Sequence, residues 1–130
     1  MGYKIFALKR FVKGIPTGIT NLIKWSPIIW NDRDFDQAYM YEMLRFKLKN
    51  MEDFFYSDRT WCIGSERRAK EIKICRILLD RIIKEEYGEF DFDDPKRNGM
   101  KYLKNEAYML QQDLDMLCHI IAKKSQDWWD

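Results

Sequence analysis

The sequence predicts an all-α fold: a compact helical bundle of three main helices with an N-terminal helical arm. Three observations predict it. Apolar residues recur at alternating steps of three and four at Met100, Leu103, Ala107, Leu110, Leu114, Leu117 and Ile121, a series that reaches Trp128. Two earlier stretches carry apolar faces at helical spacing. Turn and cap residues separate these stretches from one another.

The arm comes first. Tyr3 to Lys13 reads as a short amphipathic helix, with Ile5, Leu8, Phe11 and Val12 on one side and Lys9, Arg10 and Lys13 on the other. Gly14, Pro16 and Gly18 are expected to end it. A second piece, Thr20 to Trp25, is expected to stop before Pro27, because proline disfavours the α conformation in the residue before it. Pro27 to Trp30 then reads as an apolar linker lying across the bundle.

The main helices follow at 34–57, 65–87 and 95–126. Asp34 with Gln37 three residues on forms a capping-box pattern for the first, whose seam is Tyr41, Leu44, Leu48, Met51 and Phe55. Ser57 to Gly64 is a turn region containing Trp61. Ser65 is the expected cap of the second helix, and Ala69, Ile72, Cys75, Leu79, Ile82 and Ile83 are its buried side. Ile74, Ile77 and Leu78 widen that face, which either the N-terminal arm or a second copy in a homodimer is expected to cover, the homodimer being slightly favoured. Gly88 suits the position after its end. Asp94-Pro95 suits the start of the third helix, with Asn98-Gly99 as a later alternative. On that last helix Gln111, Gln112, Asp113 and Asp115 fall off the seam, and Lys123 and Lys124 complement its dipole near the end.

At 130 residues, 46% apolar and 34% charged, the chain reads as one globular domain, not a disordered tail or a membrane-embedded protein. The net charge is only +2, yet residues 1–31 hold five basic groups and no acid, leaving 18 basic and 21 acidic groups in the remainder. No stretch in the arm is long and apolar enough to span a bilayer. Cys62, Cys75 and Cys118 are odd in number and widely spaced, which fits a reducing compartment better than a disulfide framework.

Catalytic patterns are weak, and no catalytic residue, metal or cofactor is expected. His119 adjoins Cys118, but adjacent helical residues point about 100° apart and do not pair as nucleophile and base. Cys118, beside the Leu117/Ile121 seam, reads as a small buried apolar residue. Asp32, Asp34 and Asp36 alternate, and Glu89, Asp91, Asp93 and Asp94 cluster, but helix caps and solvated loops account for them without a metal. The tryptophans carry more information. Trp25 and Trp30 flank Pro27 and adjoin Arg33, a set able to grip a protein partner, stack a base or staple the linker by a cation–π contact. Trp129, next to the seam residue Trp128, is expected to point outward as an interface anchor.

From Asn21 to Asp36, N-L-I-K-W-S-P-I-I-W-N-D-R-D-F-D, the chain resembles a family of small tailed-bacteriophage proteins of unknown function. The similarity continues through 41–48, 64–70, Leu79-Asp80-Arg81 and the terminal Trp128-Trp129-Asp130. Phe35 departs from the tryptophan more usual in that family. The resemblance implies a non-enzymatic accessory protein in the cytoplasm of an infected bacterial host. Its expected partner is a host or defence protein, bound through Trp25, Trp30, Arg33 and Trp129. The alternative is a nucleotide- or nucleic-acid-binding protein whose phosphate contacts are Lys9, Arg10, Lys13 and Lys24. A third possibility is that the basic, apolar arm lies on a membrane surface.

Overall fold

A computed structural model describes residues 2–85, 87 and 100–129, with the side chains of the last helix described from residue 104 onward. Among these residues the fold is all-α. Four helices follow one another: α1 (Gly2–Ile29), α2 (Gln37–Tyr56), α3 (Ser65–Lys84) and α4 (Met100–Lys124), then a single 3₁₀ turn, Ser125–Asp127. The chain divides into two compact units, residues 1–39 and 40–130.

In the first unit α1 is continuous over 28 residues, and the expected break at 14–18 does not occur. Pro16 and Pro27 both lie inside the helix. Each removes one donor, to the carbonyls of Val12 and Ile23 respectively, and leaves the adjoining turns free to continue. At Ile23 the Ser26 hydroxyl donates to the carbonyl that Pro27 leaves without an amide, at 3.4 Å. Thr20 Oγ1 likewise donates to the Pro16 carbonyl at 2.9 Å. Nothing lies within 4 Å of a Cβ built on Gly14 or Gly18, so neither glycine is required by crowding. Pro27, Ile28 and Ile29 are the last turn of α1 and not a linker. The cap of α2 is Asp36, whose Oδ1 accepts from the Ala38 amide at 2.9 Å, two residues later than Asp34.

The second unit has one core, built from α2, α3 and α4. Ile72, Cys75 and Leu79 of α3 are fully buried among Leu48 and Phe55 of α2, Leu117 of α4 and Trp128. Tyr41, Leu44 and Met51 pack against this core from α2, and Leu110, Leu114 and Ile121 from α4. Ile72 and Leu79 contribute about 1.5–3 kcal/mol each by leaving water. Leu78, expected on the outer face of α3, is buried, so only Ile74 and Ile77 remain exposed there.

Several ends and faces differ from expectation. The N-cap of α3 is Gly64, at φ +81°, and Ser65 is its first helical residue. A left-handed cap favours glycine, and its carbonyl accepts from the Arg67 and Arg68 amides at 3.1 and 3.3 Å. α3 closes on Glu85 in the left-handed region, φ +53°, before Tyr87. Gly88, the acidic run 89–94 and the Asp94-Pro95 and Asn98-Gly99 starts lie outside the described residues, as do the seam side chains of Met100 and Leu103. On α4 Leu110, Leu114, Leu117 and Ile121 face the core as the seam predicts, but Ala107 is exposed and Asp113, expected off the seam, is buried. Cys118, one residue past buried Leu117 and therefore turned about 100° from it, is exposed. α4 ends at Lys124, so Trp128 reaches the core by a turn of the chain and not by continuing the helix.

Candidate functional site

Two charge networks, each centred on one buried carboxylate, Glu52 or Asp113, stiffen the second unit. Glu52 sits on the α2 seam one turn after Leu48, and its carboxylate accepts from Arg76 Nε at 2.5 Å and Nη2 at 3.3 Å. Asp80 Oδ2 accepts from Arg76 at 3.1 Å and Oδ1 from Arg45 at 3.2 Å, and Glu42 meets Arg45 at 2.6 Å. The hydrogen bond to Glu52 raises the Arg76 pKa above its ordinary value. In the second network the Tyr87 hydroxyl donates to Asp113 Oδ2 at 2.9 Å, and Arg81 Nη2 reaches the same oxygen at 3.1 Å. Burial, followed by that hydrogen bond, pushes the Tyr87 phenol up. Both networks join helices, with every charge answered, which is the arrangement of a structural tie.

One end of this unit is built differently. Arg68, in the first turn of α3, donates Nη1 to the Ile63 carbonyl at 2.9 Å and Nε to the Asp127 carbonyl. One guanidinium thus clamps the α2–α3 loop and the C-terminal turn together, using the rigid fork of donors that arginine offers. Trp128 is buried beside it, and its Nε1 donates to Glu71 Oε2 at 3.0 Å, the partner that a buried indole needs. Arg67 and Lys124 approach the other Glu71 oxygen at 3.9 and 4.0 Å. Around the clamp the neighbouring side chains face outward: Trp61 is 93% exposed, Ile63 96% and Trp129 69%. Large apolar side chains on a braced backbone form a preorganised surface, since little conformational freedom is lost when a partner covers them.

The expected partner-binding residues are divided between the two units. Trp25 is half-buried on α1, Trp30 is 81% exposed just after it, and Arg33 donates locally to the Asp32 carbonyl at 3.1 Å. These three belong to the first unit and Trp129 to the second. Trp61 and Ile63 are not among the binding residues that the sequence singles out. Their signal was present: two large apolar residues in a turn between helices, next to a glycine. Lys9, Arg10, Lys13 and Lys24 are all exposed on α1 and fall within about 100° of one another around its axis, whereas Lys4 does not. Cys118 and His119 are both exposed, and Cys75 is buried, with burial first and Glu71 second raising its thiol pKa to about 11. Among the described residues no group of three His, Cys, Asp or Glu side chains is placed to hold a metal ion.

No family model, curated protein or solved structure matches this chain.

Proposed function

We propose that the protein is a non-enzymatic bacteriophage accessory protein that binds and modulates a host protein, with inhibition of an anti-phage defence system as its form. The observation that carries the binding reading is the clamped end of the second unit, where Trp61, Ile63 and Trp129 are exposed around Arg68. Tryptophan is the side chain most enriched among the few that dominate protein interfaces. The phage setting rests on the resemblance of Asn21 to Asp36 and of the terminal Trp128-Trp129-Asp130.

The test is capture of a specific host protein from bacterial lysate by the full chain, compared with a Trp61→Ala/Trp129→Ala variant. Each truncation should weaken binding by about thirtyfold if its tryptophan is a hot spot. The thermal midpoint should stay unchanged, because neither side chain is buried. If nothing specific is retained, and phage lacking the protein grow normally on hosts with and without defence systems, the proposal fails. A second reading, phosphate binding to a nucleotide or nucleic acid, is favoured by the shared side of Lys9, Arg10, Lys13 and Lys24 on α1. It requires affinity that falls steeply with salt, with a logarithmic slope of about −3 to −4 if all four contact duplex phosphates.

A further inference from the structure

Apart from Lys4, which falls in the apolar sector, and Phe6 and Ile28, which fall on the basic side, α1 has two sides of opposite character. Ile5, Leu8, Val12, Ile15, Ile19 and Leu22 alternate in steps of three and four and fall within about 100° of one another around the axis. Phe11 and Ile23 border this sector and widen it to about 120°. The sector lies opposite Lys13, Lys24 and Arg10, with Lys9 on the near edge of the basic side, about 40° from Ile5. No side chain of α1 is buried, and the eight apolar ones of this sector range from 41% exposed at Ile15 to 71% at Phe11. Residues 1–31 contain no acid to answer their five cations.

We infer that α1 lies along the surface of an anionic phospholipid bilayer. Its apolar side enters the boundary between headgroups and acyl chains, and its cations meet the lipid phosphates. This surface is the occupant that satisfies both sides at once. A nucleic acid would answer the cations and leave eight apolar side chains in water. A second copy of α1 would suit the spacing but not the charge. A parallel pair sets Lys4 of one helix against Lys9 of the other, places Ser26 in the seam, and brings ten cations together with no carboxylate. The helix lies along the bilayer and not through it, since among the described residues no helix is long and apolar enough to cross a membrane. Pro16 and Pro27 fall at the border of the basic side, and the Ser26 hydroxyl answers the Ile23 carbonyl that Pro27 leaves without an amide. This side belongs to the first unit and Trp61 and Trp129 to the second, so the inference draws on other residues than the host-protein reading.

The experiment is co-sedimentation of the full chain with vesicles of phosphatidylglycerol and phosphatidylcholine against pure phosphatidylcholine, at 50 and 300 mM salt. Two variants accompany it: Lys9→Gln/Lys13→Gln/Lys24→Gln on the basic side and Ile15→Glu/Ile19→Glu on the apolar side. Binding to the anionic vesicles should weaken by about a hundredfold in the triple variant, roughly fivefold for each cation removed. It should be lost in the double variant, while Trp61→Ala/Trp129→Ala leaves it unchanged. Equal partition onto neutral and anionic vesicles, or no binding at low salt, overturns the inference. A dimeric mass in light scattering that becomes monomeric with Ile15→Glu/Ile19→Glu assigns the apolar side to a second copy instead. Tight duplex DNA binding that survives Ile15→Glu/Ile19→Glu, with no vesicle binding, assigns the basic side to nucleic acid.

Discussion

Replacing Glu52 by leucine tests whether the second unit depends on its buried ion pair. The carboxylate is 7% exposed and accepts two bonds from Arg76, the shorter at 2.5 Å. Removing one partner of a fully buried pair costs about 3–5 kcal/mol, because the remaining charge is left without compensation. Arg76 is 20% exposed and keeps Asp80 at 3.1 Å, so water and a second carboxylate still stabilise its guanidinium. The expected cost of Glu52→Leu is therefore lower, about 2–3 kcal/mol. Arg76→Leu should cost more, about 3–4 kcal/mol, since Glu52 would then be buried with no cation against it. The double variant should return to within about 1 kcal/mol of the parent, because two apolar side chains of similar volume need no desolvated charge. Asp80 retains Arg45 at 3.2 Å in that variant. Urea unfolding at pH 7, followed by circular dichroism, gives the four free energies of the cycle. A single-variant cost below about 0.5 kcal/mol, or a double variant that costs the sum of the two singles, would refute the reasoning.

Stability should fall above pH 9. The Cys75 thiol is neutral in both states below 9.0, but between 9.0 and about 11 the unfolded chain loses its proton while the folded chain keeps it. Ionisation then favours unfolding by about 1.4 kcal/mol per pH unit. Unfolding free energies measured between pH 9 and 10 should follow that slope and lose it in Cys75→Ala; an unchanged slope in the variant refutes the assignment. The same burial orders the thiols, so a maleimide at pH 7.5 should label exposed Cys118 first, Cys62 next and Cys75 only on unfolding. Glu85→Gly should stabilise the protein by about 1 kcal/mol, because Glu85 holds a left-handed conformation that costs a side chain and not glycine. The thermal midpoint reads this directly, and a lower midpoint would show that the Glu85 side chain has a stabilising role.

Helix class and the core-facing sides of α2 and α3 were legible from spacing alone, since Leu48, Phe55, Ala69, Ile72, Cys75 and Leu79 occupy the positions that their periodicity assigns. Periodicity reports which residues share a side of a helix, and burying apolar area is a local bias strong enough to settle that. It does not report what one helix offers another. Asp113 and Glu52 are buried because Tyr87, Arg81 and Arg76, distant in sequence, supply the partners that make a buried carboxylate tolerable. Cap chemistry alone does not fix the caps of α2 and α3, because Asp36 and Gly64 compete with Asp34 and Ser65 within one turn and only backbone geometry selects between them, although α3 starts at residue 65 as expected. The breakers in α1 misled for a related reason: a missing donor weakens a helix at one place, and helical turns on both sides of Pro16 carry the chain through. The exposed end around Arg68 was the least legible feature. A guanidinium that ties the carbonyls of Ile63 and Asp127 joins residues far apart in the chain, and only the tertiary structure brings Trp61 and Trp129 to the same end.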